Sequence, residues 1–191
     1  MSRSTDQLHD DWLVLRCQAG EARAFEELVR RFQPGLLYYA IKLLGDEAAA
    51  LDVMQEVWLT AFRAIRKLRE PGAVRAWLYR KVHGACMDAM RRGAARRRAE
   101  TAAAEMSDEV DPGGDETFDA DDAAIVHAAL DRLSEIHREV LVLFFIEVFS
   151  TAEIASVVAV PEGTVKSRLH HAKKALRTVL RKGDKDIIRT I

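Results

Sequence analysis

Apolar side chains recur at intervals of three and four residues along most of the chain, and strict alternation of apolar and polar positions is not sustained anywhere. That period belongs to helices packed by one face, so it predicts an all-α fold without a sheet. Proline and glycine are scarce outside a few junctions, which set the predicted ends. Asp10 or Asp11 is placed to cap a first helix that stops at Gly20. A second helix is predicted over residues 21–32, ending before Pro34-Gly35, and a third over 36–44, ending at Gly45. Asp46 opens a longer helix to Leu68, Glu70-Pro71-Gly72 breaks the chain, and another helix covers residues 73–92. After a stretch poor in large apolar residues, helices are predicted over 122–133, 135–148, 151–158 and 161–180.

Composition changes this picture little: 49% of the 191 residues are hydrophobic and 31% charged, which excludes collagen, fibrous coiled coil and wholly disordered chains. The length allows one domain or two small ones. No apolar run reaches the ~18 residues needed to cross a bilayer, so no membrane insertion is expected. The opening MSRSTDQLHDD lacks a secretory pattern, and the cytoplasm is the expected compartment. Cys17 and Cys86, far apart and without a metal-spaced neighbour, are expected as buried reduced thiols.

Charge changes the picture more. The net charge is only -1, but the mean hides the distribution. From Arg63 to Arg98 twelve Lys and Arg residues face only Glu70 and Asp88. Nine acidic residues and no basic one follow between residues 105 and 122, around Pro112-Gly113-Gly114, a composition that reads as a flexible linker. From Lys166 to Lys185 the chain is basic again, opposed only by Asp184. Two small basic helical domains joined by an acidic linker are therefore expected.

The helix opened by Asp46 gathers Leu51, Met54, Val57, Trp58, Ala61, Phe62 and Ile65 on an expected core arc, with Asp52, Gln55, Glu56 and Arg63 opposite. The polar arc is either a plain solvated surface or a dock for a basic or amide-rich partner. In the next helix Trp77, Leu78, Val82, Ala85, Cys86 and Met90 are available for the core, while Arg75, Arg80, Lys81, His83 and Arg91 point outward. Cationic groups neutralise phosphate and an aromatic ring can stack on an unpaired base, so this face suits single-stranded nucleic acid, although Trp77 also fits a core position. Ser150 and Glu153 have capping-box spacing, and Pro161 fits the first turn of the next helix. The order of short helix, turn and second helix is that of a helix-turn-helix. Its second helix turns Lys166, Ser167, His170, His171, Lys173, Lys174 and Arg177 outward, a set suited to a major groove. Adjacent His170 and His171 diverge too far to share a metal ion, and no nucleophile, carboxylate pair or glycine-rich phosphate loop is recognisable. No metal, no cofactor and no catalytic residue is expected.

The stretch from Gly45 to Arg63 (GDEAAALDVMQEVWLTAFR), followed by AWLYR from Ala76 and MDAMRR from Met87, resembles domain two of bacterial RNA polymerase sigma factors of the sigma-70 family, extracytoplasmic-function (ECF) group. ALDRLSEIHREVLVL from Ala129 and PEGTVKSRLH from Pro161 resemble their domain four. The resemblance implies a division into domain two (1–92), linker (93–122), domain four (123–182) and a short tail (183–191). It implies a non-enzymatic subunit that joins core RNA polymerase, recognises promoter DNA and is held inactive by an anti-sigma factor. By the same resemblance Asp52, Gln55 and Glu56 grip the polymerase clamp helices. Arg69, Arg75, Trp77, Arg80 and Lys81 hold the melted minus-ten strand, and Thr164, Lys166, Ser167, Arg168, His170, His171 and Lys173 read the minus-thirty-five duplex. Arg168, at the edge of its arc, fits a phosphate better than a base. The linker is expected to thread a channel of the polymerase. Two departures stand out: Val158-Ala159-Val160 occupies a turn that usually carries glycine, and Phe144 to Phe149 is more apolar than the usual run with a basic residue and a glycine. The competing reading is a stand-alone helix-turn-helix regulator whose N-terminal lobe senses a signal or dimerises.

Overall fold

The computed structural model describes residues 5–103 and 122–189, with side chains described for 5–95 and 125–181. Residues 104–121, which hold most of the expected acidic linker, lie outside the described residues. Among the described residues there are helices and turns and no strand. The helices are α1 (Thr5–Gln18), α2 (Ala22–Leu44), α3 (Glu47–Ala64), α4 (Val74–Ala103), α5 (Asp122–Asp131), α6 (Glu135–Leu141), α7 (Thr151–Val158) and α8 (Glu162–Arg189).

Several predicted ends hold for the expected reason. Asp46 is the N-cap of α3, its carboxylate accepting from the Ala48 N–H at 2.9 Å, and Gly45 closes α2 at φ 68°, its own N–H bonding the Ile41 carbonyl. Ser150 and Glu153 form the reciprocal capping box at the start of α7. Other ends differ. Asp10 and Asp11 do not cap α1; they lie inside it and are buried, Asp10 paired with Arg31 of α2. The helices predicted over 21–32 and 36–44 are one, with Pro34 in its interior. Pro34 and Arg30 are exposed, so the carbonyl that loses its helical partner can meet water, while Leu28, Phe32, Leu36 and Tyr39 bury one uninterrupted face through the proline. Helix α4 runs past Arg92 to Ala103, into the expected linker, and α8 runs past Leu180 to Arg189, through most of the expected tail. The helix predicted over 135–148 ends at Leu141 and continues as a wider π-type turn over Val142–Ile146.

The described halves share one hydrophobic core. Leu28, Leu36, Met54 and Leu78 on one side and Leu141, Leu143, Phe149 and Ile154 on the other belong to a single buried cluster. Helix α2 packs on α6, and α4 packs on α7. Cys17 and Cys86 are free and buried, and burial pushes the Cys86 thiol up to about 12.

Two turns in the C-terminal half place non-glycine residues in the left-handed region: Ala159 at φ 54° and Val148 at φ 52°. Both follow the helix-ending geometry that favours glycine, with Val160 N–H bonding the Ala155 carbonyl and Phe149 N–H the Leu143 carbonyl. A β-branched residue is strained there, and Val148 is 74% exposed, so its side chain returns little packing energy. Relief of about 1–2 kcal/mol, offset by about 0.5–1 kcal/mol of added chain freedom, is expected from Val148→Gly. Thermal unfolding should therefore move to higher temperature in Val148→Gly and by less in Val148→Ala, which removes the β-branch but keeps a Cβ in the left-handed region.

Alkaline pH should unfold the chain. The Tyr38 hydroxyl is also pushed up to about 12 by burial, with Asp131 and Glu147 adding to the effect. In the unfolded chain such thiols and phenols lose their protons near pH 8.5 and 10. Above those values the unfolded state binds fewer protons than the folded one, so stability falls as pH rises towards 12. Denaturant titrations between pH 8 and 11 should show midpoints that decline steadily.

Candidate nucleic-acid interface

Helix α3 turns Val53, Met54, Val57 and Ala61 into the core and leaves Asp52, Gln55 and Glu56 exposed together on the other side. Leu51, Leu59 and Phe62 are exposed beside them, at 42%, 64% and 55%. The expectation that Leu51 and Phe62 belong to the core is corrected, because the apolar arc of α3 is wider than α2 and α4 cover. Phe62 touches Phe25 edge-on at 5.0 Å and otherwise faces outward. The surface thus joins two carboxylates and an amide to bare apolar side chains, an arrangement suited to a protein partner.

The loop before α4 is tied down by α1. Gln18 donates to the carbonyls of Ile65 and Leu68 at 3.2 and 2.7 Å, which fixes the segment carrying exposed Arg69. On α4, Trp77 is half-buried with the Lys81 ammonium 4.8 Å from its ring centre, so the indole is neither full core nor free, and one cation already lies on it. His83 does not point outward as expected; its Nδ1 donates to Glu139 at 2.7 Å. Arg75 and Arg80 reach across to the C-terminal half. Arg75 bonds the Glu147 carbonyl, lies 3.4 Å from its carboxylate and sits 4.4 Å from the Phe149 ring centre. Arg80 donates to the Ser156 carbonyl at 2.7 Å and to its hydroxyl.

In the C-terminal half α7 and α8 form the expected helix-turn-helix. Thr151, at the start of α7, donates to Glu162 in the first turn of α8 at 2.7 Å, and that bond, then Lys166 at 2.9 Å, lowers the Glu162 pKa. The first turns of the two helices are thereby held together. Val165, Leu169 and Ala172 are buried; Lys166, Ser167, His170 and His171 are exposed on one side of α8, with Thr164 and Arg168 half-buried at its edges. Lys173 differs from the expectation, its ammonium lying 4.8 and 5.1 Å from the ring centres of Phe144 and Phe145. Among the described residues no group of three or more His, Cys, Asp or Glu is placed to hold a metal ion.

Sequence reasoning missed the contact between the halves. Tyr39 and His83 both direct hydrogens at Glu139, at 2.7 Å each, and Tyr79 donates to Glu147. Burial, reinforced by these carboxylates, raises the pKa of both tyrosines. Lys42 bonds both carboxylate oxygens of Asp131 at 2.7 Å, and Tyr38 bonds His127 at 2.6 Å.

Residues 28–97 match the family Sigma-70 region 2, and residues 123–176 match Sigma-70, region 4. The chain is 35% identical over 164 residues to the ECF RNA polymerase sigma factor SigL of Mycobacterium tuberculosis, covering 85% of this chain and 92% of that one. It is 32% identical over 185 residues to the RNA polymerase sigma-H factor of Pseudomonas aeruginosa, covering 91% and 95%. Among solved structures it is similar to CnrH in complex with the cytosolic domain of CnrY, with a TM-score of 0.64, 26% identity and coverage of 91% and 98%. It shares the fold of the sigma factor RpoE from Bartonella quintana, solved with the anti-sigma factor NepR, with a TM-score of 0.66, 24% identity and coverage of 84% and 98%. With both sigma regions in order on one chain and relatives matched over nearly their whole length, the protein belongs to the ECF group of the sigma-70 family, factors that direct transcription initiation.

Proposed function

We propose that this sigma factor divides its work among the three surfaces described. Domain two, residues 1–92, docks core RNA polymerase through Asp52, Gln55 and Glu56, with Leu51, Leu59 and Phe62 supplying the apolar part of the same contact. The observation that carries this reading is that α3 leaves a mixed acidic and apolar face bare while Ala50, Val53, Met54, Val57 and Ala61 of the same helix are buried. Arg69, Arg75, Trp77, Arg80 and Lys81 hold the melted minus-ten strand by phosphate pairing and ring stacking. Domain four, residues 123–182, lays α8 into the minus-thirty-five major groove, with Lys166, Ser167, His170 and His171 facing the bases and Thr164, Arg168 and Lys173 the backbone. Residues 93–122 connect the two and thread the polymerase. The chain itself carries no enzymatic activity and works in the cytoplasm, where polymerase and promoters are. An anti-sigma factor is a further partner; support comes from similar CnrH, which was solved with a second protein bound, and from exposed Phe145, Ile146 and Val148. A stand-alone regulator is not favoured, since both sigma regions are matched in order on one chain and the relatives are matched over most of their length.

Asp52, Gln55 and Glu56 changed together to Ala should weaken capture of core polymerase by about tenfold or more, equivalent to ~1.4 kcal/mol. Helix content should be unchanged, because all three side chains lie off the core. Undiminished capture in a pull-down titration would sink the docking assignment. Lys166→Glu, which sets an anion against the groove, should lower promoter affinity and flatten its salt dependence by about one counterion or more. Footprinting of the polymerase complex that shows the same minus-thirty-five protection at every salt concentration would count against the placement of α8.

A further inference from the structure

Residues 162–181 of α8 carry one acid, Glu162, against Lys166, Arg168, Lys173, Lys174, Arg177 and Arg181. A lone carboxylate on such a helix is repelled by phosphate and weakens contact with a polyanion unless it meets a donor there. Glu162 lies in the first turn of α8, the part of a recognition helix that meets base edges, and its side chain is 44% exposed. We propose that Glu162 is a specificity-determining residue of the minus-thirty-five contact, its carboxylate accepting a hydrogen bond from the N4 amino group of a cytosine. The role rests on the placement of α8 in the major groove given above, and it names a base that the helix meets there.

The side chain is already aimed. Thr151, at the start of α7, donates to Glu162 Oε1 at 2.7 Å, and Lys166, one turn along α8, lies 2.9 Å from the same oxygen. Both contacts fall on Oε1, and Oε2 has no partner among the described residues. One oxygen is an anchor and the other is left as an acceptor. A favourable dipole at a helix start or an i,i+4 ion pair accounts for an acid at this position. Neither needs a bond from another helix that fixes its direction. The chemistry of base edges then selects the partner. In the major groove guanine shows two acceptors, thymine an acceptor and a methyl group, and adenine an acceptor beside its donor, whereas cytosine shows a donor alone. The guanine paired with that cytosine presents N7 and O6 in the same groove, and the Lys166 ammonium beside Glu162 is the matching donor. Glu162 and Lys166 together fit a C·G base pair by both of their charges.

The test uses the chain with core polymerase and a duplex promoter library randomised across the minus-thirty-five element, the bound fraction being sequenced. The unsubstituted protein is expected to favour cytosine about tenfold at one position. Glu162→Gln, whose amide oxygen still accepts from Thr151, is expected to move that preference to adenine, where an amide pairs with N6 and N7, and to leave the other positions unchanged. Glu162→Ala is expected to erase the preference there without loss of total affinity, because an anion leaves the groove. Thr151→Val should blunt the preference and Thr151→Ser should retain it; an unchanged preference in Thr151→Val overturns the anchoring. A purely structural brace would lower binding at all positions alike in Glu162→Ala, and that result overturns the assignment. So does a cytosine preference that survives in both Glu162→Gln and Glu162→Ala. No cytosine preference at any position, in an element that is otherwise read and protected, overturns the role of Glu162 and leaves α8 in its groove. Failure of that placement has a different signature, no base preference and no minus-thirty-five protection even in the unsubstituted complex, and it overturns both.

Discussion

Glu139 and Glu147 set the condition that the rest of the packing obeys. A carboxylate removed from water must be met by donors of the right number and direction, and here the donors belong to a different part of the chain. Tyr39, Tyr79, His83 and Arg75 come from α2 and α4, the carboxylates from α6 and from the end of the π-type turn. The halves are therefore registered on one another by polar pairs, with the apolar cluster filling the space between. Apolar area alone would tolerate many dockings. Directional bonds to two buried acids select one.

Sequence reasoning reaches the elements and stops at this contact. The helices, the Asp46 and Ser150 caps and the helix-turn-helix are local features, each decided within a few residues, and they were legible. Pro34 misled because its local preference was outvoted by a core face that continues through it. His83 and Arg75 were read as outward because a helix face shows which residues are polar and not whether a neighbouring element will meet them. Glu139 and Glu147 carry no local sign at all, since a glutamate on an exposed face and one on a buried seat look alike. Gly35 was the available clue: a glycine inside a helical run implies a close approach from elsewhere, though not by what.

The face of α3 was legible in its polar part and misread in its apolar part. Asp52, Gln55 and Glu56 are exposed as expected, but Leu51 and Phe62 are exposed with them. The apolar residues of α3 spread over more of the circumference than two neighbouring helices can cover, and that width was visible beforehand. An arc wider than its packing partners leaves a remainder. On α3 that remainder sets Leu51, Leu59 and Phe62 beside Asp52, Gln55 and Glu56 on one exposed surface.

The same limit bears on how two basic halves can lie together. Both are rich in Lys and Arg, so docking them at random would bring like charges close. The contact instead brings acidic groups of the C-terminal half, Asp131, Glu139 and Glu147, to Lys42, His83 and Arg75 of the N-terminal half. The exposed cations of α8 stay clear of it, on the far side of buried Val165, Leu169 and Ala172. Complementarity at the seam and positive charge at the rim can therefore coexist in a chain whose net charge is only -1. Lys42–Asp131 and Arg75–Glu147 join different halves, whereas the Asp46 and Ser150 caps each lie within one.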